Sequence, residues 1–186
     1  MTLTLHIPSG GARSSSALSL PDGLTPSRLV EAAARGISNA LKGHFRNRNS
    51  AAKHREGMPR SNFWSHVADS VQTKASVGAS TATAHVLVDH EGVVLHLEGG
   101  TVRPKTGKAL AIPLVAAVFD QNPREFDPHH EKLSLVWPKG ASAGTLRDKK
   151  TGEAWFLIVS KADIPADPSV LPSESYLIQA GMEAIQ

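Results

Sequence analysis

The chain of 186 residues contains no cysteine. That excludes disulfide staples, thiol nucleophiles, iron–sulfur clusters and thiolate zinc sites, and it fits a reducing compartment. Aromatic residues make up only 5% of the sequence, too few to expect a stacking platform for single-stranded nucleic acid. No apolar run approaches the roughly 18 residues that a membrane-spanning helix needs. The first residues, Met1 to Pro8, alternate polar and apolar side chains and lack the basic start and apolar stretch of a secretion signal. The expectation is a cytoplasmic protein without membrane contact. The formal charge of +3 is mild, so its distribution matters more than its total.

A chain of this length suits one domain with an appendage. It can bury roughly 70% of its unfolded surface, so it needs no metal to fold. Residues 10–23 are rich in Gly, Ser and Pro and read as a flexible joint behind a short strand or arm. The division expected is a flexible arm and linker over 1–23 and a single α+β domain over 24–186. Thr25-Pro26 marks a helix start, because Pro fits the first helical position, where its missing N–H had no partner. Val30, Ala34, Ile37, Leu41 and Phe45 then form one apolar stripe at helical spacing. A second, short helix starts at Ser61 or Asn62, with Phe63, Val67 and Val71 on one face.

From Ala79 the period changes to two. Ala82, Ala84, Val86 and Val88 alternate with Thr83, His85 and Leu87, which predicts a strand. Asp89–Gly92 reads as a turn and Val93–Leu97 as the returning strand of a hairpin. Val102 to Ile112 reads as a basic loop or a second hairpin, with Pro104 limiting its strand to a sheet edge. Leu114–Phe119 is apolar and short, compatible with strand or helix. Leu133–Trp137 is a strand. Leu146-Arg147 and Ala154–Val159 flank Asp148–Gly152 as a further hairpin. A proline-stiffened passage from Ile164 to Pro172 leads to a last helix, capped by Ser173, with Tyr176, Leu177, Ala180 and Ala184 on its apolar side. The fold class is α+β: an antiparallel sheet or small barrel packed against a long N-terminal helix, with an extended N-terminal arm and a C-terminal helix.

Catalytic signatures fail one by one. Gly107-Lys108 resembles the end of a phosphate-binding loop, but Val102 stands where that motif needs Gly and Ala109 where it needs Ser or Thr. There is no Gly-x-Ser-x-Gly and no His-Glu-x-x-His. Of the nine His residues, His129 and His130 with Glu131 make the densest cluster. They support a small metalloprotein or hydrolase reading, against which stands a solvated loop. His85 and His96 are expected to face each other across the hairpin as a cross-strand pair. No catalytic, cofactor or metal residue is assigned.

The charge is uneven. Residues 42–60 carry Lys42, Arg46, Arg48, Lys53, Arg55 and Arg60 against Glu56, a net +5 that exceeds the charge of the whole chain. With Gly and Pro between them, these residues do not read as a recognition helix. They read as a flexible connection able to dock on an acidic neighbour, or as a nucleic-acid contact in an accessory protein.

The stretch Leu95–Pro113, in which Leu-His-Leu-Glu-Gly-Gly is followed by the basic Thr101–Lys108 and the apolar Ala109–Pro113, resembles the tailed-bacteriophage virion morphogenesis proteins, the neck and tail-completion group that joins head to tail. The order of elements from Thr25 to Gln186 is similar to that group too. The arm over 1–23 has no counterpart there, and the loop over 120–131 is longer. The resemblance implies a structural protein without catalytic residues or cofactors, assembling as a ring of six- or twelve-fold symmetry. Its partners would be the head connector and the tail tube or terminator proteins, with transient contact to packaged DNA. Its place would be the head–tail interface of the virion, and the host cytoplasm during assembly. A tail terminator ring of the same region is the alternative. The subunit contacts expected are Arg103, Lys105 and Lys108 in the basic loop and Arg46, Arg48 and Arg55 in the basic segment, with the edge at Val102–Lys105 and the arm at Thr2–Ile7 docking on neighbours.

Overall fold

A computed structural model describes residues 2–8, 25–51, 58–59, 61–77, 81–105 and 107–186. In chain order the elements are β1 (Thr2–Pro8), α1 (Pro26–Ala51), α2 (Phe63–Asp69), β2 (Val71–Val77), β3 (Thr81–Val88), α3 (Glu91–Glu98), β4 (Gly100–Val102), β5 (Leu110–Pro113), α4 (Pro123–Phe126), β6 (Leu133–Val136), β7 (Ala143–Asp148), β8 (Ala154–Val159), β9 (Ala162–Ile164) and α5 (Glu174–Glu183). Single 3-10 turns lie at Ala116–Val118 and Pro168–Val170. The fold is α+β with antiparallel sheets. None of the sheets closes into a barrel among the described residues.

Where the sequence suggests one domain over 24–186, the contacts group the chain into two compact units. The first comprises the described parts of Met1–Ala52, Asn62–Leu97 and Asp167–Gln186. The second comprises Glu98–Ala166 with the described part of Lys53–Ser61. In the first unit the strands run in the order β1-β3-β2, and α1 lies on the sheet. The expected stripe is the buried one: Val30, Ala34, Ile37, Leu41 and Phe45 meet Ala82, Ala84, Val86 and Val88 of β3 in one core. The first backbone hydrogen bond of α1 runs from Leu29 N–H to the Thr25 carbonyl at 3.2 Å. The helix continues past Phe45 to Ala51, so the first half of the basic segment is helical and not a flexible connection.

Three expectations here are corrected. Residues 93–97 form part of α3 and no hairpin strand. Val93 and Leu97, four residues apart, both pack on the core, so tertiary burial at helical spacing overrides the strand preference of Val and Leu. The His90 carbonyl and ring Nδ1 accept from Val93 and Gly92 N–H, each at 3.2 Å, and fix the entry to the helix. The antiparallel partners of β3 are instead β1 and β2. Val71 opens β2 rather than continuing α2, which stops at Asp69. Thr2–Ile7 accordingly pairs with β3 of its own unit and is no free arm. The linker over 9–24 lies outside the described residues.

α5 begins as expected: Ser173 Oγ accepts from Tyr176 N–H at 3.3 Å. Its buried side is Leu177 and Gly181, not Tyr176, which is exposed. A Cβ on Gly36 of α1 would lie 2.3 Å from the Ala180 carbonyl oxygen, and one on Gly181 would lie 3.3 Å from Ile37 Cγ1. Two glycines thus allow α1 and α5 to approach closely, and that approach turns Tyr176 outward.

In the second unit β5, β8, β7 and β6 form one sheet in that order, and β4 pairs with β9. The predicted hairpin over 146–159 is present as β7 and β8. Its turn is closed by Asp148, which accepts from Thr151 Oγ1 at 2.8 Å, and by Gly152 with φ +73°. β4 and β5 do not pair with each other, so the stretch from Arg103 to Ala109 is the basic loop and not a hairpin. The apolar Leu114–Phe119 is neither strand nor long helix but holds a single 3-10 turn that buries Val118.

Candidate functional site

The sheet of the second unit builds a groove of about 760 Å³. Its floor includes Ala111, Leu135, Leu146 and Ile158, drawn from all four strands. Register explains why they meet. Ala111 stands opposite Ile158, and Leu135 opposite Leu146, and directly opposed residues of antiparallel strands share a face. A register shift at Leu146/Arg147 re-aims β8 locally. Phe156 and Trp155 both pack into the second core, around Val118 and Leu133. Leu135 itself stays 60% exposed, which leaves the outer floor uncovered.

The rim is basic. Lys105 and Lys108 come from the loop between β4 and β5, and Arg124 from α4. All three are exposed. Gly107 has φ +101°, and a Cβ built on it would lie 3.6 Å from an Arg124 guanidinium nitrogen. The loop can turn there because only glycine takes that backbone freely. Asn122 caps α4 by accepting from Arg124 N–H at 3.0 Å.

Asp127, at the groove's inner edge, is 3% exposed. Its two oxygens accept from Glu131 N–H at 2.8 Å, Lys132 N–H at 3.1 Å and Leu133 N–H at 2.8 Å. Burial pushes the carboxyl upward, but the three backbone donors together with nearby His130 outweigh it and hold it below its ordinary value. The carboxylate therefore stays ionised and closes the loop into β6, one negative charge beside the three cations of the rim. The groove is shaped to take apolar side chains on its floor and carboxylates at its rim.

Of the sequence-predicted contacts, Lys105 and Lys108 lie on this rim. Arg103 is exposed and sits in the field of Asp163, whose carboxyl is lowered first by the Thr101 hydroxyl at 2.5 Å, then by Lys161. Of the basic-segment contacts, Arg46 and Arg48 belong to the first unit. Arg46 pairs with Asp69 at 3.6 Å, both exposed. Arg48 is turned inward: it pairs with Asp167, donates to the Ser169 carbonyl and hydroxyl at 3.1 and 2.9 Å, and lies 4.6 Å from the Trp64 ring centroid. It ties α1 to the turn before α5. Arg55, Lys53 and Arg60 lie outside the described residues.

His129, His130 and Glu131 are all exposed, and among the described residues no group of three or more metal-ligating side chains is assembled. His85 and His96 do not oppose each other across a hairpin. His96 is on α3, with its ring 5.0 Å from that of Phe63 and 5.3 Å from that of Trp64. Among the described residues no helix is long and apolar enough to cross a membrane. Sequence reasoning missed Arg124 and Leu135 as rim and floor, because the sheet order that unites them is not written in local pattern. Comparison with protein-family models, curated proteins and solved structures finds no match for this chain.

Proposed function

We propose that the chain is a structural subunit of a tailed-phage virion and not an enzyme: a neck or tail-completion protein that closes into a ring where head meets tail. The observation that supports this reading is the segment 99–113. Gly99, with φ +74°, makes a step in which a Cβ would lie 2.7 Å from the Ala166 backbone nitrogen. A basic loop open to solvent follows, and then the short strand β5 ending at Pro113. The strand expected before Gly99 is helix α3, so the likeness to the morphogenesis group is carried by 99–113 and by the α+β antiparallel architecture. Ring subunits meet their neighbours through exposed edges and charged loops, and the second unit offers both, with β5 and β6 as its sheet edges.

The test is attachment. Purified protein mixed with isolated phage heads and isolated tails should appear by electron microscopy as a ring on the joining face of one of them. Failure to attach to either particle contradicts the assignment.

A further inference from the structure

The first unit carries an exposed surface that complements the groove. On α5, Glu174, Ile178 and Met182 follow one another at four-residue spacing, which places them in one stripe about 12 Å long. Ile178 is 56% and Met182 40% exposed. Glu174 stands at the head of the stripe. At its foot Glu183 lies next round the helix, held by Gln179 at 2.8 Å. The last turn holds no basic residue of its own, and Arg28 and Arg35 of α1 line a pocket with Ala184 and Ile185 just past it. The stripe is thus apolar in the middle, with Glu174 at its head and Glu183 beside its foot. The groove is apolar on its floor and positive on its rim, with Lys105, Lys108 and Arg124.

We infer that the α5 stripe of one copy seats in the groove of the next copy, with Ile178 and Met182 over Leu135 and Glu174 beside the rim lysines. This rests on the ring reading above and names the surface that makes the ring. Charge complementarity selects a second copy as the occupant, because the ligand the groove calls for is displayed on the same chain. Groove and stripe are different surfaces, so the contact is head-to-tail. An open chain of copies keeps one free groove at one end and one free stripe at the other until the ring closes.

The experiment measures mass by light scattering on the full chain and three variants: Leu135→Asp in the groove, Ile178→Asp on the stripe, and the double change Lys105→Glu with Lys108→Glu. Both apolar targets are more than half exposed, and circular dichroism with a denaturation midpoint checks that each variant is folded. The wild type should form a discrete oligomer. The two Asp variants should be monomers, and the double variant should bind about ten- to a hundredfold more weakly through like-charge contact. An equimolar mixture of the two Asp variants retains one intact groove and one intact stripe, so it should give a heterodimer and nothing larger. An oligomeric wild type whose variants stay oligomeric overturns this contact and leaves the ring reading standing. So do monomeric Asp variants that fail to pair when mixed. A wild type that is monomeric at every concentration, alone and on phage particles, overturns the ring reading and this contact together.

Discussion

The two units use their side chains in opposite ways. The first draws its aromatic cluster inward: Phe45 is fully buried and stacked on Trp64 at 6.0 Å, and Arg48 of the basic segment is drawn onto Asp167 and Trp64. The second keeps a smaller core around Phe156, Val118 and Leu133. It leaves Leu135 bare beneath three unburied cations. Cation counts along the sequence do not distinguish these cases. An arginine at the edge of a packed aromatic cluster does structural service, whereas a lysine on a loop above an uncovered sheet face remains available to a partner.

The largest expected effect lies in the core of the first unit. Phe45→Ala should remove about 3–5 kcal/mol of stability by leaving a cavity in a packed core, read from urea unfolding. A loss under 1 kcal/mol would break the contrast. Gly99→Ala in the second unit should cost about 1–2 kcal/mol, because an L side chain in left-handed backbone is strained and the new Cβ meets the Ala166 nitrogen. Arg48→Met should destabilise by less than Phe45→Ala yet leave self-association unchanged, which separates its structural use from that of Lys105 and Lys108.

Asp127 gives the pH test. Its folded carboxyl is held below the ordinary 3.8, so its contribution is fully present above that value and disappears as pH falls through the lower folded one. Asp127→Asn should therefore be less stable than wild type at neutral pH, and the gap should close in acid. A gap that is unchanged from neutral to strongly acidic pH would contradict the loop-closing role. The smallest effect on folding should come from Leu135→Asp. As an exposed change it should alter stability by no more than about 0.5 kcal/mol, while its effect on mass is large.

Local pattern made the first unit half legible. The stripe from Val30 to Phe45, the alternation from Ala82 to Val88 and the Ser173 cap each read true, since each is set within a few residues. α3 did not, because Val93–Leu97 fits a strand by composition and a helix by burial, and only the core decides. β2 was missed because Gln72 to Ser76 is polar and exposed on both faces, which gives no alternation to read. Tyr176 was misplaced because Gly36 and Gly181 set how α5 lies on α1, and glycine has no hydropathy signal of its own. In the second unit the β7–β8 hairpin announced itself through Asp148 and Gly152. The groove did not, because Ala111, Leu135, Leu146 and Ile158 become neighbours only through the order β5-β8-β7-β6.

The most direct test of the central claim is the mass of the purified wild-type chain by light scattering, at low and at high salt. The account predicts a discrete oligomer at low salt that loosens as salt screens the contact between the basic rim and the acidic helix. A monomer at both salt concentrations and at every protein concentration, alone and on phage particles, would contradict it.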